Sequence, residues 1–183
     1  MAQGLSREEY YRWAEAQPRR YERVAGQPVA MAPERAAHVQ IKYQIWVALT
    51  RAIQVAGLDC QAIGDGITVE VDDDTDYEPD VLINCGAPIG PDMIAAPNPV
   101  VVVEVLSPSS QSIDTSEKLT GYFRVPSIQH YLVVGVRRRE VIHYRRTGDD
   151  IASRVVNLGT IQLDPPGIAV DINEFYQEPR FAA

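Results

Sequence analysis

The chain has 183 residues, 45% of them hydrophobic, and a formal net charge of −8, a size and composition that suit one domain, residues 1–183, with a full core. A sequence pI near 4.9 excludes the lysine- and arginine-rich surface that draws polyphosphate nonspecifically, so contact with nucleic acid has to be local and metal-assisted. The first ten residues lack the apolar core of a secretory signal, and no run of about 18 apolar residues is present to span a bilayer. The expectation is a cytoplasmic protein without a membrane partner.

In chain order, Ser6-Arg-Glu-Glu9 has capping-box form and predicts a short helix running to about Ala16, stopped by Pro18. Tyr21–Ala25 and Pro28–Met31 read as two strands around a tight turn, with Gly26 supplying the permissive backbone. From Ala36 to Ala56 the apolar positions Ile41, Ile45, Ala48, Leu49, Ala52, Ile53 and Ala56 follow one stripe of a helix, and Gly57 is a suitable terminator.

Short strand-like runs follow at Cys60–Ile63, Ile67–Val71, Asp80–Cys85 and Val100–Leu106, punctuated by Gly, Asp and Pro. The acidic stretch Asp72–Asp76 reads as a solvated loop. Cys60 and Cys85, without CxxC spacing, read as reduced core residues. Ser112–Arg124 predicts a second helix, ended by the Val125-Pro126 step. Strands are expected at His130–Val134, Val141–Tyr144, Val155–Leu158, Ile161–Leu163 and Ile168–Val170, with a turn at Arg137–Glu140. The pattern is an α/β or α+β sandwich around a central sheet.

One residue breaks the apolar logic. Glu104 lies inside Val100-Val-Val-Val-Glu-Val-Leu106, where an unpaired carboxylate costs several kcal/mol or changes protonation state. Strand alternation puts Val102, Glu104 and Leu106 on one face. An arginine partner or a wet edge strand would explain it. So would a divalent ion, because Asp80 opens a second apolar strand, and two carboxylates on a rigid sheet are what Mg²⁺ or Mn²⁺ needs.

Among 17 Lys plus Arg, only Lys42 and Lys118 are lysine. Lys118 follows the Glu104 strand, with Asp114 and Tyr122 four residues to either side on the same helix face, so it reads either as a surface ion pair or as a compact charge for a phosphate. His38, at the start of the long helix, reads as a packing residue or as part of a site. Tyr122 reads as packing, and His130 and His143 as structural. The basic clusters Arg137–Arg139 and Arg145-Arg146 read as solvated turns, or as a phosphate patch if one hairpin brings them together.

Taken together, Tyr21-Glu22, Gly26, Pro33, His38, Glu78-Pro-Asp80-Val, Val102-Val-Glu104-Val-Leu-Ser-Pro-Ser109, Asp114, Glu117-Lys118 and Tyr122 resemble the Uma2 family over roughly Leu5 to Phe175. That family is placed among the PD-(D/E)xK nuclease-like proteins. The resemblance implies a restriction-endonuclease-like core: a central mixed β-sheet flanked by helices, with an N-terminal helix and β-hairpin. It also implies Asp80 and Glu104 as ligands of Mg²⁺ or Mn²⁺. The superfamily lysine normally stands two residues past the glutamate, where this chain has Leu106, and the resemblance makes Lys118 its migrated substitute. Glu22 matches the family's early glutamate and would complete the metal shell or hold a water, and Ser107 would support the carboxylates or cap a turn.

Three functions remain open on these grounds. One is a metal-dependent endonuclease, with nucleic acid as substrate. The others are a catalytically silent nuclease-like module and a hydrolase of a small phosphorylated metabolite. The acidic pI favours the module, whereas the costly carboxylate pair with its lysine favours the enzyme. A homodimer is the expected assembly.

Overall fold

The computed structural model describes residues 4–106 and 114–177. Its first element is the helix α1, Arg7–Glu15, closed at its start by the reciprocal capping box of Ser6 and Glu9. The hairpin β1, Tyr21–Val24, and β2, Gln27–Ala30, follows; both turn residues, Ala25 and Gly26, have positive φ, as a two-residue hairpin turn whose twist matches the strands requires. The long helix α2 runs Ala36–Ala56 and ends at Gly57 in the left-handed conformation.

The remaining elements are β3 Cys60–Gly64, β4 Val69–Glu70, β5 Asp76–Tyr77, β6 Val81–Cys85, β7 Pro99–Leu106, α3 Asp114–Arg124, β8 His130–Gly135, β9 Val141–Thr147, β10 Asp150–Val156, β11 Thr160–Leu163 and β12 Ile168–Asp171, then a 3-10 helix at Ile172–Tyr176. The central sheet has order β10-β9-β8-β7-β6-β3. It is mixed: β7 and β8 are parallel and the other pairs antiparallel. The α3 segment lies in the crossover between the parallel strands, as parallel pairing demands.

Strand alternation sorts the core into two layers. Val81, Ile83, Val101, Val103, Val105, Leu132 and Val134 pack with α2, β11, β12 and the 3-10 helix. Leu82, Val102, Tyr131 and Val133 pack with Tyr122 and Phe123 of α3 and with Val69 and Tyr77. Glu104 shares the parity of Val102, so its side chain leaves the sheet on the α3 side. Asp80 immediately precedes β6; continuing the Val81–Val103 and Leu82–Val102 register by one residue sets it across from Glu104.

Four expectations need correction. Cys60 and Cys85 are not reduced: they stand opposite one another on β3 and β6 and form a disulfide, with Cα atoms 4.1 Å apart. A cross-strand pair separated by 25 residues has no local spacing for a sequence reading to find. Asp76 does not belong to a solvated loop, since it is a buried residue of β5 held by Arg23 and Arg7. The Ile67–Val71 run yields only the two-residue β4, with Thr68 bridging to Ala95. The strand expected at Val155–Leu158 is the longer β10, which ends at Val156 and pairs along β9.

The basic clusters do not meet either. Arg137–Arg139 sits in the β8–β9 turn, while Arg145 and Arg146 lie near the other end of β9. Arg146 donates to the carbonyls of Phe123, Val125 and Ile128, closing the end of α3. It is a structural cation rather than a phosphate ligand.

Candidate active site

The end of β7 and the start of β6 carry a cluster of charged side chains that meets groups from α2 and α3. On the α3 side, Glu104 Oε1 accepts from Lys118 Nζ at 3.0 Å and from the Tyr122 hydroxyl at 2.6 Å. Lys118 Nζ also donates to Glu22 Oε1 at 2.9 Å, and the same oxygen takes the Glu78 N–H at 2.9 Å. Lys118 is buried, which separates it from an ordinary solvated surface pair. Tyr122 packs on Tyr77 and Tyr131, but its hydroxyl serves the site as well.

Lys118 is held in place by close packing. Gly121, one turn along α3, brings the helix against Tyr77: a Cβ there would stand 2.5 Å from the Tyr77 ring carbon Cε2. The Lys118 ammonium lies 5.5 Å from the centre of that same ring, within cation–π range.

On the α2 side, Asp80 Oδ2 accepts the Val105 N–H at 2.7 Å, which fixes the carboxylate beside the sheet. His38 Nε2 bonds the Val105 carbonyl at 2.7 Å and stands 3.5 Å from Asp80 Oδ2. Lys42, one turn along α2, places its ammonium 3.2 Å from Asp80 Oδ1, 2.6 Å from Glu34 Oε1 and 2.9 Å from Asp65 Oδ2. Burial opposes the Lys42 charge, but the hydrogen bond to Glu34 with the charges of Asp80 and Asp65 outweighs it and raises the pKa above the ordinary lysine value. Arg20 then links Asp65 to Glu78.

Taken as a whole, the cluster sets Glu22, Glu34, Asp65, Glu78, Asp80 and Glu104 against Lys42, Lys118 and Arg20. That excess of carboxylates is felt most by Glu104. Burial pushes its pKa up to about 7; Lys118 and the Tyr122 hydroxyl pull it down, while Asp80 and Glu22 add to the rise. A dication would relieve this repulsion, and oxygen donors suit a hard ion. The donor set therefore fits a divalent metal. Among the described residues, the three side chains whose ligand atoms all lie within 4.8 Å of one another are Glu34, His38 and Asp80. Glu22, Asp80 and Glu104 do not form so tight a trio.

The structure thus brings Asp80, Glu104, Lys118, Glu22 and His38 into one neighbourhood. Ser107 lies outside the described residues. Sequence reasoning passed over Lys42, Glu34 and Asp65. The signal for Lys42 was present: it is one of only two lysines and follows His38 by one helical turn. Glu34 and Asp65 sit in loops, where an acidic residue carries no distinguishing pattern.

A central mixed sheet flanked by helices, with α3 in the crossover between its parallel strands, is a restriction-endonuclease-like fold. The fold is shared with a solved structure from Anabaena variabilis described as "a putative nuclease belonging to DUF820". The TM-score is 0.70 at 13% identity, over 94% of this chain and 97% of that one. The family model Uma2, described as "Putative restriction endonuclease", matches residues 7–173, and the chain belongs to that family.

Two relatives come from Synechocystis sp. (strain PCC 6803). The uncharacterized protein slr1290 is 30% identical over 146 residues, which is 79% of this chain and 76% of that protein. The uncharacterized protein sll1609 is 33% identical over 75 residues, 40% of this chain and 42% of its own length. No helix among the described residues is long and apolar enough to cross a membrane.

Proposed function

We propose that this single-domain protein is a divalent-metal-dependent endonuclease that hydrolyses nucleic-acid phosphodiester bonds. Asp80 and Glu104 would hold Mg²⁺ or Mn²⁺, and Lys118 is the migrated catalytic lysine. The observation that carries the reading is the Glu104 environment: a carboxylate among like charges, its pKa raised to about 7, and bonded to a buried lysine at 3.0 Å. A bound dication supplies Lewis acidity toward the phosphate and activates water.

The side chains divide the remaining work. Val105 N–H and Lys42 orient Asp80. Tyr122 fixes Glu104 from within the α3 core, and Glu22 holds the Lys118 ammonium beside Glu104. From that position Lys118 can donate to a phosphate oxygen as negative charge builds in the transition state. Glu22 serves here as the positioning group for Lys118, and His38 as that for Asp80. The protein is cytoplasmic and homodimeric in this reading.

Nuclease assays on single- and double-stranded DNA and RNA with Mn²⁺ and Mg²⁺, paired with calorimetric Mn²⁺ titration, test it. Glu104→Gln is expected to abolish Mn²⁺ binding and cleavage together, and Lys118→Ala to spare binding while reducing cleavage at least 100-fold, the scale of a lost charge-stabilising donor. Unchanged Mn²⁺ affinity in Glu104→Gln overturns the metal assignment. The formal charge of −8 supports a second reading, a catalytically silent nuclease-like module. Metal binding without cleavage of any of these polymers, or of small phosphate esters, would favour that module.

A further inference from the structure

His38 has an unresolved valence. Its Nε2 lies 2.7 Å from the Val105 carbonyl oxygen, and a carbonyl only accepts, so Nε2 must carry the proton. In the neutral ring that leaves a lone pair on Nδ1. Nδ1 is buried, has no hydrogen-bond partner, and faces Glu34 Oε2 at 3.6 Å. Two acceptors facing one another call for a donor or a cation between them.

Lys42 does not meet that need, because its ammonium takes Glu34 through the other oxygen, Oε1, and Asp80 through Oδ1. That leaves the buried His38 Nδ1 facing the solvent-exposed Glu34 Oε2. The spacing suits one ion, since two ligand atoms each about 2.1 Å from a tetrahedral metal stand about 3.4 Å apart. The His38 ring sits within a residue only 9% exposed, held by α2 and by the backbone of β7, so the ligand is preorganised. Glu34 is solvent-exposed just before α2, which gives an ion a way in.

We propose that Glu34, His38 and Asp80 form a second divalent-cation site, one that includes a nitrogen ligand and is distinct from the Asp80–Glu104 position. The imidazole selects a borderline transition cation such as Zn²⁺ or Co²⁺ over Mg²⁺ or Mn²⁺. The Val105 carbonyl, by fixing the proton on Nε2, sets the tautomer that leaves Nδ1 to bind, the outer arrangement usual for a metal-bound histidine. Asp80 is common to both positions, so occupancy of one influences the other. The assignment stands on the His38 geometry and does not require that Glu104 bind metal.

Cobalt reports nitrogen ligation directly. Co²⁺ titration of the full chain followed by visible absorption, with Zn²⁺ calorimetry in parallel, is expected to show a site that Glu104→Gln keeps and that His38→Gln and Glu34→Gln each weaken at least tenfold. Long-range ¹H–¹⁵N spectra of the imidazoles are expected to show the His38 Nδ1 resonance moving on Zn²⁺ addition while Nε2 stays protonated. Glu34→Gln, in an exposed loop, covers the case in which His38→Gln misfolds. Equal Co²⁺ and Zn²⁺ affinity in wild type and Glu34→Gln, with a stationary Nδ1 resonance, overturns the proposal. If Glu104→Gln leaves all metal binding intact but Glu34→Gln removes it, the second site stands and the Asp80–Glu104 assignment falls.

Discussion

Two acidic residues in this molecule, the buried Asp76 and the half-buried Glu104, lie under opposite conditions. Asp76, 1% exposed, has Arg23 Nε at 2.6 Å from one oxygen and Arg7 Nε at 2.9 Å from the other. Arg23 itself, also 1% exposed, sends its remaining donors to the carbonyls of Leu5 and Asp73. Two cations thus face one anion, and the arginine fork is spent on backbone. Glu104 faces the reverse balance, with Asp80 and Glu22 near it and Lys118 as the counter-charge.

The difference separates a carboxylate that holds the fold from one that the fold holds in tension. The Asp76 cluster ties α1, β1 and β5 together and offers nothing to a ligand. The Glu104 cluster gathers Glu104, Glu22 and Asp80 at the ends of two interior strands with their charges raising the Glu104 pKa, the kind of perturbed acid that points to function.

The largest expected effect lies in the Asp76 cluster. Arg23→Met leaves Asp76 with only Arg7, and breaking a buried pair from one side costs about 3–5 kcal/mol. Denaturant unfolding is expected to show that loss, with metal affinity of the folded protein unchanged. An Arg23→Met/Asp76→Leu double variant should recover most of the stability, because the uncompensated charge is then gone. A mild effect of Arg23→Met would break the contrast between the two clusters.

Glu104→Gln is expected to act in the other direction in metal-free protein. The Glu104 pKa in the fold, about 7, is above its ordinary 4.5. A raised value means the stabilising contribution is complete below about pH 4.5 and is lost as pH rises through 7, since the unfolded chain releases the proton more easily. Removing the titration should make the variant more stable than wild type above pH 7, by about 1–3 kcal/mol. The gap should narrow as pH falls toward 4.5. Unfolding curves at pH 4.5, 6 and 8 in chelator check the sign, and a Glu104→Gln protein destabilised at pH 8 would place Glu104 with Asp76 as a structural anion.

How far this contrast was legible in the sequence follows from what each residue's neighbours reveal. Glu104 interrupts a valine run, so its oddity is visible locally, and the periodicity of Ala36–Ala56 and the capping box at Ser6 fix α2 and α1 in the same local way. Asp76 sits at the end of an acidic stretch that looks solvated; its burial comes from Arg23, 53 residues earlier in the chain, and no local pattern encodes that pairing. The Cys60–Cys85 bond was hidden for the same reason. Lys118 was found because lysine is rare here, and Lys42, equally rare, was passed over because a single cation on an otherwise apolar helix stripe looks like surface. Its three carboxylate partners come from two loops and the start of a strand.

Lys42 provides the finest test of the comparison. Its ammonium shares Glu34 and Asp80 with the cation site assigned to Glu34, His38 and Asp80, so it acts there as a tethered competitor. At Asp76 the resident cations are structural, and removing one harms the protein. At Asp80 removing the resident cation should instead strengthen binding of a mobile one. Lys42→Met, which keeps the apolar stem along α2, is expected to raise Zn²⁺ or Co²⁺ affinity about tenfold, equivalent to about 1.4 kcal/mol of a charge–charge interaction partly screened by solvent. The gain should vanish in the Lys42→Met/Glu34→Gln double variant, because the shared ligand is gone. If Lys42→Met weakens metal binding, the ammonium is a support for the Asp80 carboxylate rather than its competitor, and the α2 side of the site then follows the same rule as Arg23 and Asp76.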